Sequence, residues 1–193
     1  MSTIVFIRHA ETAMAGRFCG HSDPVLNLAG KVQAIRVAKE AAMMRIDRIY
    51  SSDLDRAART AAAIGRRVGL DVQYLPALRE IHFGLWEGLN WREIEDQFPD
   101  EARRWLLEFP LRSAPGGEPY PAFTARVDAV IAPLLRESAN DTTAVVTHCG
   151  VMRYVLKRFF DFSDEQAWTL TAPYGAVVVG DSRIRQAGAC RVV

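Results

Sequence analysis

Two apolar runs in this sequence each end on a histidine. Ile4-Val5-Phe6-Ile7 leads into Arg8-His9, and Ala144-Val145-Val146-Thr147 leads into His148. Such short, branched, uninterrupted runs read as strands buried on both faces. In open α/β sheets ligands gather beyond the carboxyl ends of the strands, so two histidines at two strand ends can meet in one pocket. A lone histidine after a strand is more often a loop or core residue; the pair argues for chemistry. A further run, Arg48-Ile49-Tyr50-Ser51, delivers Ser52-Asp53-Leu54-Asp55-Arg56 at its own end. That places Arg56 in the first turn of the next helix. Arg8, Arg56 and helix N-termini together offer many N–H donors to one tetrahedral anion. Arg59, Arg66 and Arg67, on the same helix, read as solvated.

These groups need a scaffold, and the pattern supplies one. After the strand at 4–7, residues 27–44 are expected to form a helix capped by Asn27, with Leu28, Val32, Ile35 and Ala38/Ala42 on its apolar face. A strand at 48–51, a helix at 54–68 stopped by Gly69, and a short strand at 72–74 follow. Residues 84–117 differ: Trp86, Trp91, Trp105, Phe98 and Phe109 lie between breakers at Gly84, Gly88 and Pro115-Gly116-Gly117. They read as short helices inserted as a lid or wall. A helix at 120–138, the strand at 143–147, a helix at 151–160, and strands at 176–179 and 184–193, antiparallel at an edge, complete the chain. Alternating strands and helices indicate a three-layer α/β/α sandwich with a mainly parallel central sheet. One domain over residues 1–193, with the insertion at about 84–117, is the expected organisation.

The composition narrows the partners. With 24 basic and 23 acidic residues the formal charge is +1, so no global field draws the chain to nucleic acid or to a membrane surface. Anion recognition has to be local, by a small molecule in a pocket. The three cysteines, Cys19, Cys149 and Cys190, lack zinc-ribbon or CxxC spacing. No apolar run approaches the ~20 residues of a membrane span, and no signal-type leader precedes the first strand. A cytoplasmic location is the expectation.

Arg8-His9-Ala10-Glu11-Thr12 resembles the signature of the histidine phosphatase superfamily (phosphoglycerate mutase-like), whose usual form is Arg-His-Gly-Glu-Thr. Further blocks are similar in the family's order. They are Gly20-His21-Ser22-Asp23-Pro24-Val25-Leu26 with Gly30; Ser51 to Ala57 with Thr60-Ala61; Leu78, Glu80, Phe83-Gly84 and Trp86-Glu87-Gly88; and Val145 to Val151. The resemblance spans nearly the whole chain and implies a phosphoglycerate mutase-like fold. It also implies that His9 becomes a phosphohistidine while Arg8, Arg56 and His148 bind the equatorial oxygens. Glu80 would protonate the leaving alkoxide and then activate water. That role calls for burial of Glu80, by neighbours such as Phe83 or Trp86. Glu87 reads better as a cap or a loop anchor, and Glu118 as structural. No metal or other cofactor is implied.

The pattern departs from the family at two points. Ala10 stands where glycine is usual, which requires ordinary backbone dihedrals there. After Thr12 the loop Ala13-Met14-Ala15-Gly16 lacks the Asn of many relatives, so substrate contacts are assigned only to Arg17, Gly20 and His21. Within the family the alternative to hydrolysis is mutase-type transfer to a second hydroxyl; the compact chain favours a phosphatase. Gly20-His21 and the short Trp-rich block also resemble α-ribazole phosphatases, implying α-ribazole-5'-phosphate as a substrate. A non-catalytic phospho-ligand module is the other alternative, and it has no need of a proton donor. Two arginines beside His9 would repel a divalent cation, which counts against a metal hydrolase built on His9, His21, His148 and a cysteine. Gly-x-Ser-x-Gly, P-loop and Rossmann fingerprints are missing from the sequence.

Overall fold

Among the described residues six strands form one sheet, in the spatial order Val72–Tyr74, Arg48–Ser51, Thr142–Thr147, Thr3–Arg8, Val177–Asp181 and Arg191–Val192. The computed structural model describes residues 3–136, 141–181 and 191–192. β1 (Thr3–Arg8), β2 (Arg48–Ser51), β3 (Val72–Tyr74) and β4 (Thr142–Thr147) are parallel. β5 (Val177–Asp181) runs antiparallel to β1, and β6 (Arg191–Val192) antiparallel to β5. The two strands expected to be antiparallel at an edge are there: β5 lies beside β1, and β6 closes the edge. The expected strand at 184–193 falls, up to residue 190, outside the described residues.

Alternation along β1 divides the core. Ile4 and Phe6 face one side, with Val145 and Val178, and pack on α5 (Tyr120–Arg136) and α6 (Cys149–Phe160). Val5 and Ile7 face the other, with Ala144, Val146 and Val177, under α1 (Leu28–Ala42) and α2 (Asp55–Val68). This period-two division yields the three layers, and β1 and β4 are buried at the centre. α3 (Trp91–Gln97) and α4 (Pro99–Glu108) lie in the 84–117 block, which has its own aromatic core of Trp86, Ile94, Phe18, Trp91 and Trp105. None of the described helices is long and apolar enough to cross a membrane.

The structure corrects one face. Asn27 caps α1 through Gly30 N–H as expected, but Leu28, Val32 and Ile35 are 80%, 62% and 57% exposed. The buried side is Gly30, Ala34, Val37, Ala38 and Ala41. Close approach selects small residues here: a Cβ on Gly30 would sit 1.9 Å from the Glu11 carbonyl oxygen. α7 (Asp164–Thr171) had no counterpart in the sequence reading, although Ser163 and Gln166 form a full capping box. The helix expected at 120–138 is described to Arg136, and the one expected at 151 starts at Cys149.

Candidate active site

β1 and β4 are adjacent and in register, with Arg8 opposite Thr147, so the next residue of each strand lies at the same level. Those residues are His9 and His148, with ring centroids 5.1 Å apart. His9 N–H donates to the Thr147 carbonyl at 2.9 Å, tying the two strand ends together. The His9 Nδ1 atom lies 2.8 Å from the Ala10 carbonyl oxygen. A carbonyl can only accept, so Nδ1 carries the proton and Nε2 keeps its lone pair. Burial holds the His9 pKa well below its ordinary value, and the charges of Arg56 and Arg8 lower it further. The imidazole is thus neutral and presents a nucleophilic nitrogen.

His148 is set by Ser52. The Ser52 Oγ accepts the Leu54 N–H at 3.3 Å and lies 2.8 Å from His148 Nε2. When the serine hydroxyl donates to Nε2, the histidine proton sits on Nδ1. That buried Nδ1 has no partner in the protein. Burial, then Arg56 and His9, keep His148 neutral as well.

Both arginines are fixed from behind. Arg8 Nη1 donates to the carbonyls of Thr171, at 3.1 Å, and Ala172, at the end of α7. Its guanidinium also lies 4.0 Å from the centroid of the Tyr174 ring, which in turn flanks His9 at 5.6 Å. Arg56 is fully buried and donates to three carbonyls of one loop, Ser22, Cys19 and Gly20, at 2.6, 3.0 and 2.7 Å. The Nε of each arginine is buried without a partner. Arg59, by contrast, is exposed and paired with Asp55.

Glu80 is 4% exposed, and its carboxylate is met by the start of α6. Oε2 accepts from Gly150 N–H at 2.8 Å and from the Cys149 thiol at 3.5 Å; Oε1 accepts from Ile81 N–H at 3.0 Å. Trp86 and Phe83 both pack against Phe18. Glu87 holds the loop, receiving the N–H groups of Gly20, His21, Ser22 and Phe83 and the Ser22 hydroxyl. Burial pushes its pKa up, but the hydrogen bonds from Ser22, Phe83 and His21 outweigh it and leave the carboxyl below its usual range.

The residues assigned to substrate contacts are engaged elsewhere. The Gly20 and His21 N–H groups are taken by Glu87, His21 Nε2 lies 3.1 Å from the Glu80 carbonyl, and Arg17 pairs with Glu93 and the Gly88 carbonyl. Ala10 is buried, and its φ is not among the positive values of the described residues, as the sequence required. Tyr174 and Ser52 went unassigned in the sequence. Tyr174 follows a stretch without pattern, and Ser52 is legible only once β2 and β4 are known to be neighbours. Among the described residues no group of three or more His, Cys, Asp or Glu is placed to hold a metal ion.

This geometry belongs to a known class. The family model of the histidine phosphatase superfamily (branch 1) matches residues 4–186, and the chain is a member of that family and a phosphatase of its kind. It is similar to phosphoserine phosphatase 1 of Hydrogenobacter thermophilus, with 31% identity over 86% of this chain and 84% of the relative. It is also similar to the adenosylcobalamin/α-ribazole phosphatase of Escherichia coli, with 29% identity over 88% of this chain and 84% of that protein. Among solved structures, a mycobacterial glucosyl-3-phosphoglycerate phosphatase in complex with VO3 superposes with a TM-score of 0.82 and 27% identity, over 99% of this chain and 96% of that one. The fold is phosphoglycerate mutase-like.

Proposed function

We propose that this protein hydrolyses a small-molecule phosphate monoester through a phosphohistidine on His9, with Glu80 as proton donor and no metal ion. The observation that carries the reading is the set of unspent donors. Arg8 Nε, Arg56 Nε and His148 Nδ1 are buried without acceptors, on the residues around a neutral imidazole. A buried donor left unmade costs about 1–3 kcal/mol, and a phosphoryl group bound beside His9 would offer acceptors to the two arginine nitrogens and, with the proton on Nδ1, to His148.

In the first step the His9 Nε2 lone pair attacks phosphorus in line, and the bond from phosphorus to the leaving oxygen breaks. Protonated Glu80 gives its proton to that oxygen. In the second step water attacks the phosphohistidine, its proton passes to the Glu80 carboxylate, and the P–N bond electrons return to His9. Fixed cations supply the charge stabilisation that metals provide in other phosphoryl-transfer sites. The 84–117 block serves as the wall over the leaving group. The substrate panel follows from the relatives: phosphoserine, α-ribazole-5'-phosphate and glucosyl-3-phosphoglycerate.

Rapid quench with a labelled ester tests the mechanism. An acid-labile, base-stable phosphoprotein is expected, formed equally well in EDTA, and His9→Ala should lose both label and turnover. A histidine label that persists in His9→Ala but vanishes in His148→Ala reverses the two roles.

A further inference from the structure

The segment carrying Glu80 is held by a side chain outside every motif, Arg126 on α5. All five of its N–H bonds are spent. Nε donates to Glu118 Oε1 at 2.7 Å, and Nη2 to Glu118 Oε2 at 2.8 Å and to the Glu80 carbonyl at 2.9 Å. Nη1 donates to the carbonyls of Ala77 at 2.9 Å and Arg79 at 2.7 Å. Glu118 closes the clamp from the far side: its N–H donates to the His82 carbonyl at 2.9 Å, and its carboxylate accepts His82 N–H at 3.4 Å. The Thr147 hydroxyl takes the Leu78 carbonyl at 2.7 Å.

We infer that Arg126, locked by Glu118, is a positioning residue for the Glu80 carboxylate. The link between backbone and carboxylate is direct, because Oε1 is bound to the N–H of the next residue, Ile81, while Oε2 reaches across to Gly150. If the 77–82 backbone drifts, the carboxylate has to give up one of these anchors and moves away from the leaving oxygen. A misplacement of ~1 Å costs on the order of 100-fold in rate. Arg126 has no donor left for substrate, so its effect on catalysis passes through Glu80. Lysine cannot replace it, since a point charge on a flexible stem cannot span three carbonyls and a carboxylate fork.

This inference rests on Glu80 being the leaving-group acid, and the experiment separates the two. Wild type, Arg126→Lys, Glu80→Gln and the double variant are assayed with 4-nitrophenyl phosphate, phenyl phosphate and an alkyl phosphate, with Tm measured alongside. Arg126→Lys is expected to lose about 100-fold on the alkyl ester and less than about threefold on 4-nitrophenyl phosphate, whose leaving group needs little protonation. Added to Glu80→Gln, it should cost less than about threefold on any ester, because an effect transmitted through a residue disappears with that residue. Equal losses across the esters, or full additivity in the double variant, would reduce Arg126 to a scaffold and overturn the inference. A Glu80→Gln variant that slows all esters alike would instead remove the acid assignment, and the inference with it. Should Arg126→Lys fail to fold, Glu118→Gln decides: it leaves the carbonyl contacts in place and should show the same ester dependence at smaller amplitude.

Discussion

Around His9 the protein leaves hydrogen-bonding capacity unspent, whereas around Glu80 it spends nearly all of it. Arg8, Arg56 and His148 each keep one buried nitrogen without a partner, while the carbonyls of residues 77–80 are all taken by Arg126, Thr147 or His21. Unmade donors grouped beside a nucleophile suit a site that a ligand completes, and a saturated segment is suited to holding one group still. On the proposed mechanism, the phosphoryl end is an incomplete anion cradle, and the leaving-group end is a mount for a single carboxylate.

The largest effect should come from the cradle. Arg56→Ala is expected to lower kcat/KM by about 10²–10³, the scale of a lost transition-state donor. Arg59→Ala, which removes an exposed pair with Asp55, should change stability by less than about 0.5 kcal/mol and leave turnover alone. Comparable losses in the two variants would dissolve the distinction drawn for Arg56.

The mount can be disturbed without touching the cradle. A Cβ on Gly150 would fall 2.2 Å from Glu80 Oε1, so Gly150→Ala must displace the carboxylate. Hydrolysis of alkyl esters should slow by about tenfold or more, while vanadate inhibition of the variant, which reports the cradle, stays at the wild-type level. Loss of vanadate affinity would show the two ends to be one unit.

The cradle also leaves a pH signature. Burial keeps the pKa values of His9 and His148 well below the ordinary histidine value. Below pH ~6.5 the unfolded chain takes up protons that the folded chain refuses, so stability falls as pH falls. Each histidine adds at most about 1.4 kcal/mol per pH unit to that slope. Denaturant titrations at pH 5 and 7 should show a smaller difference for His148→Asn than for wild type. An unchanged difference would mean that His148 is not held neutral.

The smallest effect is expected outside both regions. Val32→Lys on the exposed side of α1 should cost less than about 0.5 kcal/mol, whereas Ala34→Leu on its buried side should cost about 1–3 kcal/mol by overpacking. Urea melts of the two variants compare the faces directly.

These variants also mark where the sequence was legible. Strand ends announce themselves through apolar runs, so the positions of His9, His148 and Arg56 could be read before any coordinates. Helix faces were harder. Leu28, Val32 and Ile35 have helical spacing, yet α1 lies so close to its neighbours that its buried side is Gly30, three alanines and Val37. Size, not hydropathy, chose that face. The Arg126 clamp was invisible for another reason: its acceptors are backbone carbonyls, which every residue type possesses, and Arg126 looks in sequence like any other arginine on a helix. α7 was a genuine oversight, since Ser163 and Gln166 spell out its start.

Arg8 has its rotamer chosen at folding, by the Thr171 and Ala172 carbonyls at the end of α7 and by the Tyr174 ring. The roughly 2 kcal/mol of rotamer entropy an arginine carries is therefore not lost again when an anion arrives. Such a cradle recognises the phosphoryl oxygens and is indifferent to whether the fourth oxygen bears carbon or hydrogen. Inorganic phosphate leaves against the same donors that drew the ester in. On the proposed mechanism, free phosphate is therefore expected to compete with the ester and slow turnover.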